Sequence, residues 1–109
     1  MKDHNKIYLA YSGGDARGYL YAIGMLTAND GDDLCDLSVW EKAKTPIASF
    51  ATIPGEYGPG HNSFFWDRDQ NLWIAYHAVT SFEEKIVSSG MRRVYFEQDK
   101  TPRFDVIVE

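Results

Sequence analysis

The chain has 109 residues, 44% of them hydrophobic and 15% aromatic, with a formal net charge of −5. That length suits one small domain. The acidic balance, without a basic stripe, argues against nucleic acid, and no apolar run nears the roughly 20 residues of a membrane helix. The polar start Met1-Lys2-Asp3-His4-Asn5-Lys6 does not read as a signal peptide, so a cytoplasmic protein is expected. The single Cys35 rules out an internal disulfide.

Lys6 to Ser12 is β-branched and aromatic, and Gly13-Gly14-Asp15 stops it. Tyr19 to Leu26 is apolar on both faces and reads as a strand buried on both. The short loop between them favours an antiparallel hairpin. Ala28 to Asp33 is an acidic turn without the closing Glu of a calcium loop, and solvation explains it. Cys35 reads as a small buried hydrophobe. A short edge strand follows around Trp40 to Lys42, and Pro46 and Pro54 mark connections.

Gly58-Pro59-Gly60-His61-Asn62-Ser63-Phe64-Phe65-Trp66 combines rigid and permissive backbone with two polar side chains and an aromatic run. It reads as a tight turn that delivers His61 and Asn62 to the start of a strand. A loop with one structural histidine fits equally well. The turn Asp67 to Asn71 joins it to a strand, Leu72 to Ala78. Thr80 to Gly90 reads as a polar loop, Arg92 to Glu97 as a strand, Gln98 to Pro102 as a turn and Phe104 to Val108 as the last strand. Sustained helical periodicity is missing throughout, so the chain is all-β with antiparallel strands.

Ile7-Tyr8-Leu9-Ala10-Tyr11-Ser12 and Leu72-Trp73-Ile74-Ala75-Tyr76-His77 share one pattern, and each precedes another aromatic strand. Such a recurrence suggests propeller blades, with units at about 6–50 and 58–109. A sandwich with similar strands would show the same pattern. Two units fall short of the about 4 to 8 blades of a closed propeller. Apolar faces meant for neighbours would then be open, and a homo-oligomer or a complementing propeller chain is expected.

Tyr11-Ser12-Gly13-Gly14, Tyr21 to Leu26, Trp40-Glu41-Lys42, Gly58 to Phe64, Trp73 to Ala78 and Arg92 or Arg93 together resemble the C-terminal part of glycoside hydrolase family 43. The α-L-arabinofuranosidase and β-xylosidase members are the nearest in look, and the likeness runs over roughly residues 6 to 104. The resemblance implies about two blades of a five-bladed β-propeller with a central active site, and an inverting O-glycosyl hydrolase parent. It implies His61 in the central channel, holding calcium or sodium mostly through water, with Asn62 beside it. Arg92 or Arg93 would reach the sugar, so arabinose- or xylose-containing glycans are the implied partners. The family's base, positioning and acid carboxylates all precede the strand equivalent to Ile7 to Ser12. The resemblance therefore implies no catalytic carboxylate here and an isolated chain without activity. Glu56 does not stand where the family places catalysis, Asp15 lies in a turn, and Asp67 and Asp69 lie in a hairpin turn where solvation explains them. A noncatalytic carbohydrate-binding or assembly module, or half of a split glycosidase, is the alternative.

Overall fold

The computed structural model describes residues 1–3, 5–14, 20–49, 51–81 and 83–104. Its strands are β1 (Lys2–Asp3), β2 (Lys6–Gly13), β3 (Ala22–Asn29), β4 (Glu41–Lys42), β5 (Tyr57–Trp66), β6 (Leu72–Ser81), β7 (Ile86–Arg93), β8 (Tyr95–Phe96) and β9 (Pro102–Arg103). They form two antiparallel meanders, β1-β2-β3-β4 and β5-β6-β7, and a separate hairpin, β8-β9. One 3₁₀ turn, Leu37–Val39, is the only helical piece among the described residues, and none is long and apolar enough to cross a membrane.

Alternation along the strands gives each sheet one packed face. On the first sheet, Ala10 pairs with Met25 and Ser12 with Ile23. On the second, Leu72, Ile74, Tyr76 and Ala78 fall on one side of β6. These meet Ile23, Ala48, Val94 and Phe104 in a single buried cluster. Tyr8 ties in the last hairpin: its ring lies 5.7 Å from Phe96 and its hydroxyl donates to the Lys100 carbonyl at 2.7 Å.

The two repeated segments occupy the same place, as the second strand of each meander. The likeness extends to their neighbours. Tyr11 pairs across the ladder with Gly24, and Tyr76 with Gly90. Each ring lies over its glycine: an added Cβ would come 2.4 Å from Tyr11 Cζ at Gly24, and 3.1 Å from Tyr76 Cζ at Gly90.

Several expectations are corrected. The stretch Thr80 to Gly90 is mostly strand, because Ser88, Ser89 and Gly90 pair with Ala78, His77 and Tyr76 of the well-formed β6. Cross-strand pairing overrides their weak β-propensity. The second strand starts at Ala22, and Leu20 lies outside it with 71% of its surface exposed. Cys35 is exposed rather than buried, since it sits in an acidic turn where Asp33 Oδ1 accepts from its amide at 3.1 Å and its neighbours are exposed as well. Pro102 and Arg103 form the last described strand, whereas residues 105–108 of the expected one lie outside the described residues.

Asp67 is more than a solvated turn residue. Its Oδ1 accepts from the amides of Asp69 and Asn71, at 2.8 and 2.9 Å, and its Oδ2 accepts from Trp73 Nε1 at 2.8 Å. The Trp73 bond is the main cause that holds its carboxyl below the usual carboxylate range, with the Asn71 amide next. The turn is thereby locked into one register, which fixes how β5 lies on β6.

Candidate functional site

Gly58 to Asn62 is not a turn ahead of a strand. It lies inside β5, which is irregular there. The pairing with β6 shifts register between Tyr57 and Gly60 and again between Gly60 and Ser63. Bulges of this kind re-aim side chains. Five non-glycine residues have positive φ among the described ones: Asn5, His61, Gln70, Lys85 and Lys100. Four of them lie in connections between strands, and His61, with φ of 52°, lies within a strand. A left-handed non-glycine residue inside a strand costs energy and is kept where the surroundings force it. The forcing contacts are visible: Ser12 Oγ accepts from the His61 amide at 3.0 Å, and Gly58, with φ of 55°, precedes the bulge.

Three rings gather at this point. The His61 and His77 centroids lie 5.5 Å apart at 56°, and Tyr21 stacks on His77 at 6.3 Å and 25°. Gly60 makes room for the stack, because a Cβ there would lie 2.0 Å from Tyr21 Cε2. His61 is exposed, while Asn62, Tyr21 and His77 are half-buried. Polar edges beside flat ring faces, at the seam between the two sheets, are what a sugar needs: hydroxyls bond to the edges and C–H faces stack on the rings.

Gly60→Ala tests this packing. The ring must leave its place over Gly60, at about 1–3 kcal/mol. The expected result is a modest drop in urea midpoint together with loss of the Tyr21 ring-current shift on His77. An unchanged His77 signal would show that Tyr21 is not held there.

The two arginines are placed elsewhere. Arg92 pairs with Ile74 and Arg93 with Trp73, three and four residues along β6 from His77, or about 10–13 Å at strand rise. Arg92 Nε donates to the Tyr76 hydroxyl at 2.9 Å, and its Nη2 to Glu56 Oε2 at 3.1 Å. Tyr76 in turn donates to Glu56 Oε1 at 2.6 Å. Burial, then the Glu56 carboxylate, pushes the Tyr76 hydroxyl up to about 12. Glu56 is therefore part of a half-buried lock that holds the approach to Gly58. Arg93 lies 5.7 Å from the Trp73 ring centre and 5.3 Å from that of Tyr95, and its buried Nε has no hydrogen-bond partner among the described residues. Asp15 lies outside the described residues.

His77 and Tyr21 are site residues that sequence reasoning named only within motifs. The signal was there: the position after the repeated Tyr holds Ser12 in one copy and His77 in the other. As for a cation at His61, no group of three His, Cys, Asp or Glu side chains converges among the described residues. Calcium takes about 6–8 oxygen ligands. The residues present do not fit a calcium or sodium site by themselves.

No protein-family model matches the chain. The chain is 31% identical to an extracellular exo-α-(1→5)-L-arabinofuranosidase of Streptomyces avermitilis, over 94% of its own length and 23% of that protein's. It is 28% identical to α-L-arabinofuranosidase B of Pyricularia oryzae, over 97% of its length and 23% of that protein's. The crystal structure of an α-L-arabinofuranosidase from Lactobacillus brevis superposes with a TM-score of 0.81 at 27% identity, over 95% of this chain and 34% of that one. A thermostable family-43 glycoside hydrolase gives 0.75 at 29%, over 95% and 33%. The chain resembles the C-terminal part of glycoside hydrolase family 43. Its two meanders are about two blades of the five-bladed β-propeller of family 43. It spans about a quarter of the length of the curated relatives it matches. The ring cluster joins His61 of β5 and His77 of β6 to Tyr21, just before β3, where the two meanders meet.

Proposed function

We propose that this chain supplies a glycan-binding wall of a family 43 glycoside hydrolase. It holds arabinofuranosyl or xylosyl units at His61 and Asn62, with Tyr21 and His77 as the ring surface, and does not cleave them alone. The observation that carries this reading is the bulged Gly60-His61 backbone, which Ser12 holds with His61 in a left-handed conformation inside a strand. The substrates come from the relatives, which are named as arabinofuranosidases.

The engagement of the described acids nearest the site supports the absence of cleavage. Inversion needs an acid and a base with carboxyls about 6.5–9.5 Å apart and room for water between them. Glu56 is engaged by Arg92 and Tyr76, and Asp67 by Trp73 and its own turn. Among the described residues, the ring contacts of the cluster involve only Tyr21, His61 and His77. Arg92 keeps the backbone before Gly58 in place through Glu56 and acts on sugar only through that segment.

The test is turnover of nitrophenyl α-L-arabinofuranoside and nitrophenyl β-xyloside by the purified 109-residue chain. Acid and base groups each contribute about 10²- to 10⁴-fold, so turnover should sit at the buffer rate. Turnover that disappears in Glu56→Gln would place an acid at Glu56 and overturn the reading.

A further inference from the structure

His61 is held from both sheets, and the repeat shows how. Gly60 pairs with His77 and Ser63 with Ala75, so His61 and Asn62 of β5 lie opposite Tyr76 alone. Two residues against one leave an amide outside the regular ladder. The His61 amide donates to Ser12 Oγ at 3.0 Å, across the seam on β2. Aligning the repeated strands puts Ser12 on His77. Equivalent positions of the two meanders therefore meet at His61. Ser12 holds its backbone, and the His77 ring centre lies 5.5 Å from that of its imidazole.

Packing does not explain a serine at position 12. By alternation it shares a face of β2 with Tyr8 and Ala10, and it pairs with Ile23, which is 0% exposed in the core cluster. An apolar side chain would suit that face better than a hydroxyl without a partner. A local turn does not explain it either, because the bonded residues are 49 apart in sequence. What the hydroxyl supplies is an acceptor for the amide that the bulge turns out of the ladder. It does so at a residue whose φ of 52° is costly without such a hold.

We propose that Ser12 is a positioning residue for the glycan site. It fixes the His61 backbone, and through it the imidazole, before sugar arrives. This role rests on glycan binding at His61. Ser12 belongs to the first meander and His61 to the second, so the site is complete only where the two sheets are docked. Loss of the bond lets His61 relax toward extended backbone. The fraction of chains with the imidazole in place then falls, and the apparent Kd rises in proportion.

Ser12→Ala removes the hydroxyl and Ser12→Thr keeps it. Ser12→Val matches threonine in shape without the hydroxyl. Two quantities are read by NMR: the amide-to-Hα coupling of His61, which reports φ, and the Kd for arabino-oligosaccharide. Circular dichroism confirms the fold. Ser12→Ala and Ser12→Val are expected to move the coupling toward its extended-strand value and to weaken binding about fivefold, the factor of one net hydrogen bond. Ser12→Thr is expected to keep both at wild type, which a serine that only fills space would not require. If Ser12→Ala fails to fold, the threonine and valine variants carry the comparison. An unchanged coupling without the hydroxyl overturns the proposal, and so does a changed coupling with unchanged affinity. A wild type that binds no oligosaccharide contradicts glycan binding at His61, and the binding role of Ser12 with it. A coupling that still depends on Ser12 would then show that the failure lies in the ligand and not in the link between Ser12 and His61.

Discussion

Ile74→Ala is expected to lose about 2–5 kcal/mol of stability, the range for truncating a fully buried Ile or Leu. Ile74 is 0% exposed and lies in the cluster where the two sheets meet, with Ile23 and Ala48 also at 0%. Both sheets border the cavity, and their backbones are tied into ladders that cannot collapse far. Small domains hold only about 5–15 kcal/mol in total. Each kcal/mol moves the midpoint of a domain of this size by about 4–8 °C, so thermal unfolding should fall by about 10 °C or more. Leu37→Ala, at a residue 87% exposed, should stay within about 0.5 kcal/mol. Equal losses at the two positions would mean that the sheets do not meet at Ile74.

Arg92→Ala should cost about 2 kcal/mol, between the ~0–1 of exposed ion pairs and the ~3–5 of breaking a buried one. The side chains of Arg92 and Glu56 are 26% and 20% exposed, which puts the pair between those limits. Losing the guanidinium leaves the Glu56 carboxylate half-buried with only the Tyr76 hydroxyl. Glu56→Gln keeps an acceptor for that hydroxyl and should cost less. Denaturant unfolding of Arg92→Ala, Tyr76→Phe and the double variant should show a coupling above about 0.5 kcal/mol. The Tyr76 hydroxyl also makes stability depend on pH. Its folded value is raised to about 12 from 10.0, so the folded state keeps the proton more firmly than the unfolded chain. That contribution is complete below pH 10 and is lost as pH rises toward 12. Tyr76→Phe should remove this part of the alkaline loss, and an unchanged profile would contradict the burial of that hydroxyl beside Glu56.

The regular parts of the fold were legible because their pattern is local. Ile7 to Ser12 and Leu72 to His77 alternate apolar residues with rings, and both became the second strands of meanders. The irregular parts were not. Ser88, Ser89 and Gly90 look like a loop because their strand character comes from β6, which no local pattern reports. Cys35 looks buried because its apolar neighbours Leu34 and Leu37 suggest a core, yet both are exposed. Gly58 and Gly60 flagged an unusual backbone, but a turn and a bulge demand the same residue types, and only the register separates them. His61 and Asn62 were named from that motif. For His77 the repeat marked the position, but its place beside His61 comes from the ladder that sets it opposite Gly60. Arg92 and Arg93 stand side by side in sequence, and strand alternation sends them to opposite faces, one to Glu56 and one to Trp73.

Glycan binding at the bulged strand is tested most directly by titrating the 109-residue chain with arabino-oligosaccharide and following the imidazole signals of His61 and His77 by NMR. The expected result is saturable shifts at both imidazoles and at Tyr21, absent in His61→Ala, with the oligosaccharide recovered intact. Saturable shifts confined to Phe65, Trp73 and Arg93, or no shifts at all, would contradict the account.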